Sequence, residues 1–203
     1  MMKWLFLILL PINTLAQCIL SDNVSVNPLP IGGTYQPGQV ITFTYTITSY
    51  QGLSVNWMHG VVPVLGSGWL PNSTTPIGIP TNNNGNGIWI WVNSVTSSAT
   101  GAVVQGPGWF YDSPSGGPGV LDGNPGNNWG DGLSAPWTFQ WSATVGNCPP
   151  NQNGASLSVI IQNYADGETG SWINYDCAND PNETFNAALQ CCLPVVTGPI
   201  THN

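Results

Sequence analysis

Two stretches of this sequence alternate between apolar and polar side chains with a period of two. From Val40 to Thr48, Ile41, Phe43, Tyr45 and Ile47 are separated by Thr42, Thr44, Thr46 and Thr48. From Trp137 to Val145, Trp137, Phe139, Trp141, Ala143 and Val145 share one parity. A period of two puts successive side chains on opposite faces of a strand, so each stretch reads as a half-buried β-strand. No segment carries a helical period. With 25 Gly and 18 Pro in 203 residues, helix is disfavoured along most of the chain. The expected fold is all-β: a single antiparallel β-sandwich, Ig-like or jelly-roll, with long Gly/Pro/Asn-rich loops.

Further strands are expected at Asn23–Leu29 on an edge, at Leu53–His59, at Ile88–Val95 in the sheet interior, and at Ala155–Tyr164. Gly52 reads as the turn of a hairpin over 40–59. Val61–Leu65 continues as apolar strand or loop, and residues 66–87 form a long polar excursion. Ser171–Tyr175 follows an Asp-Gly turn, and Thr184–Cys192 closes the fold. Residues 194–203 read as linker or tail, which leaves 17–193 for the sandwich.

Residues 1–16, MMKWLFLILLPINTLA, carry one Lys, an apolar run and a small-residue end. That is the pattern of a secretory signal peptide, too short for a membrane anchor, with cleavage expected after Ala16. A lipoprotein acylated at Cys18 is the alternative, but Gln17 is an awkward residue to precede one. Removing the signal removes Lys3, the sole Lys or Arg, and leaves all nine Asp and Glu. A chain with no Lys or Arg is excluded from ordinary nucleic-acid binding, and stable insertion in or on a membrane is not expected after signal removal. It also has no Lys or Arg to pair with its carboxylates. Each must stay solvated, accept N–H bonds or meet a metal ion.

Cys18, Cys148, Cys177, Cys191 and Cys192 are expected to form disulfides after export, with one left over. The preferred pairing joins Cys18 to the 191–192 pair and Cys148 to Cys177. The spacing does not suit a Cys-only metal site.

The longest functional candidate is Pro107–Val145. It opens on Trp109-Phe110-Tyr111, passes through a Gly/Pro/Asn/Asp loop and ends on the second alternating strand. Asp112, Asp122, Asn124, Asn127 and Asp131 offer the oxygen donors that Ca²⁺ takes, with Asp122-Gly123-Asn124 giving alternate-oxygen spacing. The loop is no EF-hand, and Asx turns alone would also account for these residues. A second, weaker acidic set is Asp166, Glu168, Asp176, Asp180 and Glu183. Trp69, Trp109 and Trp129 lie in or beside loops and are the candidate contacts for a glycan or a cell-surface protein. Trp89, Trp137 and Trp141 read as core. His59, at a strand end, reads as structural. No nucleophile triad or zinc spacing is present, and an enzyme is not expected. The residual catalytic reading is a glycoside hydrolase using Asp112 with Asp122 or Asp131.

Several motifs occur together in one order. They are LAQC at the signal's end, GQVITFTYTI at 38–47, VNWMHGVVP at 55–63, NSVTSSATG at 93–101 and GWFYDS at 108–113. LDGNPGNNWGD at 121–131 and ADGETGSW at 165–172 complete the set. With these the chain resembles the N-terminal region of very large Bacteroidota surface proteins associated with gliding motility. The resemblance implies type IX secretion to the cell surface and an adhesin role. It brings no catalytic residues.

Overall fold

The computed structural model describes residues 18–52, 56–80, 87–113, 121–132, 135–148, 155–165, 180 and 182–191. The signal segment, Cys177, Cys192 and the acidic residues Asp166, Glu168 and Asp176 lie outside them. The described strands are β1 (Ile19–Asn27), β2 (Thr34–Tyr35), β3 (Val40–Tyr50), β4 (Met58–Leu65), β5 (Thr75–Pro76) and β6 (Ile88–Thr96). They continue with β7 (Val103–Asp112), β8 (Trp137–Thr144), β9 (Val159–Ala165), β10 (Glu183–Phe185) and β11 (Ala188–Leu189).

The strands build two antiparallel sheets packed face to face, an all-β sandwich. One sheet has the order β1-β3-β8-β5 and the other β10-β9-β4-β7-β6. A parallel β2–β11 pair lies beside them. The two alternating stretches are neighbours: Phe43 pairs with Trp141 and Tyr45 with Phe139. Their apolar parities therefore meet on one face. Ile41, Phe43, Tyr45, Ile47, Trp137, Phe139, Trp141 and Ala143 are all fully buried. From the other sheet, Met58, Val61, Trp89, Trp109, Tyr111, Val159 and Ile161 complete the same cluster.

Phe43 is the aromatic centre of that cluster. It stacks on Trp141 at 5.5 Å and meets Trp69 and Phe185 edge-on at 5.5 and 5.4 Å. Trp89 reaches across to Phe139 at 4.8 Å, nearly perpendicular. Offset and edge-to-face contacts of this kind add about 0.5–1.5 kcal/mol each beyond area burial.

The structure corrects several expectations. The 40–59 hairpin does not form, because both sides of β3 are taken, one by β1 and one by β8. The strand that follows begins at Met58 and belongs to the opposite sheet, where β9 and β7 flank it. Its apolar run on both faces is that of an interior strand. Trp109-Phe110-Tyr111 is the buried end of β7 rather than a loop entrance. The final strand is broken into β10 and β11, which join different sheets.

The expected Cys148–Cys177 bridge is also overturned. Cys148 bonds to Cys191, closing a separation of 43 residues. The reason is the path of β11: Leu189 N–H donates to the Ala155 carbonyl and Gln190 N–H to the Tyr35 carbonyl. That path carries Cys191 to the end of β8, where Cys148 waits, so Cys191 is not available to Cys18. Cys18 is itself disulfide-bonded. In the chain-entropy picture, a loop of this length contributes about 4 kcal/mol.

Replacing Phe43 with Ala removes the ring that links the sheets and is expected to cost about 3–5 kcal/mol. Leu70→Ala, at a side chain 43% exposed, is expected to change stability by less than about 0.5 kcal/mol. Denaturant unfolding of both oxidised variants checks the contrast, and equal losses would contradict this account of the core.

Candidate functional site

The loop over residues 121–132 is seated against β4, β6 and β7 by close backbone approach. Gly126 lies so near the Thr96 carbonyl that a side chain there would overlap it, and a Cβ on Gly130 would sit 2.5 Å from the Met58 carbonyl. Glycine is needed at both places for lack of room. Ser98 N–H donates to the Gly126 carbonyl, and Asp131 N–H donates to the Met58 carbonyl at 2.7 Å.

The loop's interior is a network of Asx contacts. Asp122 accepts from Asn124 N–H at 2.9 Å and from the Asn127 amide at 3.0 Å. Asn124 caps the short 3-10 turn Pro125–Asn127, accepting from Gly126 N–H. Asp112, at the end of β7, ties this network to the sandwich. One of its oxygens accepts from Gly123 N–H at 2.7 Å and the other from the Asn128 amide at 2.9 Å. Asn128 is fully buried and its amide also faces the Asn124 carbonyl and Asn127 Oδ1.

Asp112, Asp122, Asn124 and Asn127 are thus brought together as the sequence suggested, whereas Asp131 serves another contact. Its carboxylate accepts from the Trp137 indole N–H at 2.9 Å, from beneath the loop. Both Asp112 and Asp131 are 1% exposed. Burial raises the Asp112 carboxyl above its ordinary value, and the Gly123 N–H partly offsets this.

Each oxygen of Asp112 and Asp122 already takes an N–H donor, and Asn124 Oδ1 takes a third group's N–H. Among the described residues, no three of His, Cys, Asp and Glu form a metal-holding group. The backbone N–H bonds to Asp122 and Asn124 are the contacts of Asx turns.

His59 is the clasp underneath. It lies on β4, fully buried, with its ring beside Phe110 at 6.4 Å. Desolvation lowers its pKa to about 4, while the backbone of Pro125 and Trp129 works in the opposite direction. A neutral imidazole therefore faces the loop's own backbone at neutral pH, in keeping with a structural role.

The tryptophan expectations divide. Trp69 and Trp109 are each 3% exposed and are corrected to core residues. The physical reason is that each indole N–H finds a backbone carbonyl inside, Ser158 for Trp69 and Gln140 for Trp109. Trp129 is partly exposed and packs edge-on against Trp57 at 5.2 Å. Trp57 was missed because it sits in an apolar run that reads as strand; it lies just before β4. Beside it, Asn56 is fully buried and its carboxamide finds no hydrogen-bond partner among the described residues.

The second acidic set is reorganised. Asp180 accepts from the N–H groups of Cys18 and Ile19, at 2.8 and 3.0 Å, and fixes the start of β1. Glu183 lies on β10, where burial and the nearby Asp22 raise its pKa. Asp22, not singled out in the sequence, accepts from the Tyr45 hydroxyl at 2.6 Å. Asn163 donates to that same hydroxyl at 3.0 Å. An open groove of about 980 Å³ lies elsewhere, where β4 and β7 part beyond their Val61–Trp109 pair, with Val62, Leu65, Leu70, Val104, Pro107 and Tyr164 in its walls.

Compared with known proteins, the chain matches no family model and no curated sequence.

Two measurements check this description. A folded-state pKa below the unfolded one gives a His whose stabilising contribution is lost as pH falls, here between about 6.5 and about 4. The full span corresponds to about 3 kcal/mol. The raised Asp112 carboxyl acts in the opposite direction, so the His59 share is read as wild type minus His59→Gln across that window. A pH-independent difference would contradict a buried neutral ring. In the second, the melting midpoint is expected to be the same in EDTA and in excess Ca²⁺, since a native-state ligand must raise it. A rise with Ca²⁺ would restore the cation reading.

Proposed function

We propose that this chain is a non-catalytic binding domain of an exported cell-surface protein, acting in adhesion or surface assembly. The observation that carries this reading is the Trp57–Trp129 pair. The two rings are partly exposed and meet edge-on, Trp57 just before β4 and Trp129 on a loop whose polar groups are used to hold it rigid. Aromatic surface presented without conformational freedom is a low-entropy contact. The signal-like residues 1–16 and the resemblance to gliding-associated surface proteins support the location.

The same loop gives little support to catalysis. Asp112, which a hydrolase would use with Asp122 or Asp131, is shut off from solvent, as is Asp131, and both are bonded to structural donors. A paired acid and base need access to the bond they cleave.

A second reading is favoured by the same pair of rings: a carbohydrate-binding module in which Trp57 and Trp129 stack on a sugar. The exported protein is tested for adhesion to cells and on a glycan array, with Trp57→Ala and Trp129→Ala alongside. Adhesion lost by at least about tenfold in both variants, about 1.4 kcal/mol, with unchanged circular dichroism supports the proposal. Saturable binding to one glycan class, lost in the same variants, selects the second reading. Adhesion unaffected by either substitution overturns the assignment of this surface.

A further inference from the structure

A β-sandwich has four sheet edges, and an unprotected edge is a template for another strand. Three of the four are blunted here. β5 is two residues long and contains Pro76. β10 is three residues long and carries Glu183. β1 has irregular register near Ser21 and carries Asp22, and its start is held by Asp180 and by the Cys18 disulfide.

β6 has none of these devices over its first half. Among the described residues its one strand neighbour is β7. Its pairing with β7 runs without interruption from Ile88 to Val92, and only then shifts register. Those five residues, Ile88-Trp89-Ile90-Trp91-Val92, contain no Pro and no charge. Trp89 is inside the sandwich, but Ile88 is 41% exposed, and Ile90, Trp91 and Val92 are partly exposed. Strands of this composition pair readily.

The charge distribution identifies the partner. No Asp, Glu, Lys, Arg or His falls between His59 and Asp112 in the sequence. The described carboxylates lie along the β1–β10 side, as Asp22, Asp180 and Glu183, or in and under the 121–132 loop. Two copies of an acidic chain repel wherever those groups face each other. At this edge the carboxylate in register is Asp112, across from Ile88 on β7, and it is buried and held by the Gly123 N–H and the Asn128 amide rather than turned toward a second copy; a basic partner would be drawn to the exposed acids instead. The strand that matches β6 in neutrality and side-chain character is β6 itself. A two-fold axis makes that pairing antiparallel and closed, because each copy presents the same patch.

We propose that β6 is a self-association edge, through which Ile88–Val92 of two copies pair antiparallel and join their five-stranded sheets into one. The inference is independent of the export and adhesion readings.

The test is the mass of the full exported chain in solution, by light scattering and sedimentation from micromolar to millimolar concentration. The expected result is a dimer for wild type. Ile90→Lys places two like charges across the new pairing and is expected to halve the mass, whereas Ile90→Thr, neutral and β-branched, stays dimeric. Hydrogen exchange on the wild type gives a measurement that needs no variant: amides in 88–92 gain protection as concentration rises. A wild-type monomer throughout the range overturns the proposal. So does a dimer that survives Ile90→Lys, an open-ended polymer in place of a dimer, or exchange in 88–92 that ignores concentration.

Discussion

A buried carboxylate with no cation to face it is the constraint around which this molecule is arranged. Lys3, the single Lys or Arg, lies outside the described structure, so the buried acids described here are met by neutral donors. Asp112 takes a backbone N–H and an Asn amide, Asp131 an indole N–H, and Asp180 two backbone N–H groups. Hydrogen bonds to a charged group contribute about 1.5–3 kcal/mol each, and losing one leaves the ion unpaired. In each case the donors belong to a segment distant in sequence from some part of the fold it must meet. The acids therefore act as rivets: Asp112 and Asp131 hold the 121–132 loop to the sandwich, and Asp180 holds the first strand.

The loop held in this way is rigid from both sides. Above, Asx contacts shape it; below, it rests on buried His59, and the Gly126 and Gly130 contacts leave no space for a larger residue at those positions. What remains for contact is apolar: the Trp57–Trp129 pair at the loop and the Ile88–Val92 run on a sheet edge. The charged and uncharged borders of the sandwich are thereby given different tasks. The β1–β10 side carries Asp22, Asp180 and Glu183, while Ile88–Val92 on β6, the proposed self-association edge, carries no charge.

Part of this was legible in the chain. The β3 and β8 alternation named the inward residues one by one, because side-chain parity follows directly from strand geometry. The clustering of Asp112, Asp122, Asn124 and Asn127 was legible because most of it is local turn chemistry. The partnership of Asp131 with Trp137 was not, although only a few residues separate them, since it depends on which side of the loop faces the core. The burial of Trp69 and Trp109 was hidden for a related reason. Each is decided by a carbonyl supplied by a strand far along the chain.

Sequence alone determined that the chain is built of strands, which faces of the two best strands are apolar, and that its acids lack basic partners. These are properties of periodicity and composition, and they need no knowledge of neighbours. Tertiary structure decided which strand lies beside which, which cysteine meets Cys148, and which tryptophans are left at the surface. Those outcomes depend on contacts between residues far apart in the chain, where the free energy of burying a ring or satisfying a buried acid is set by whatever the fold brings alongside it.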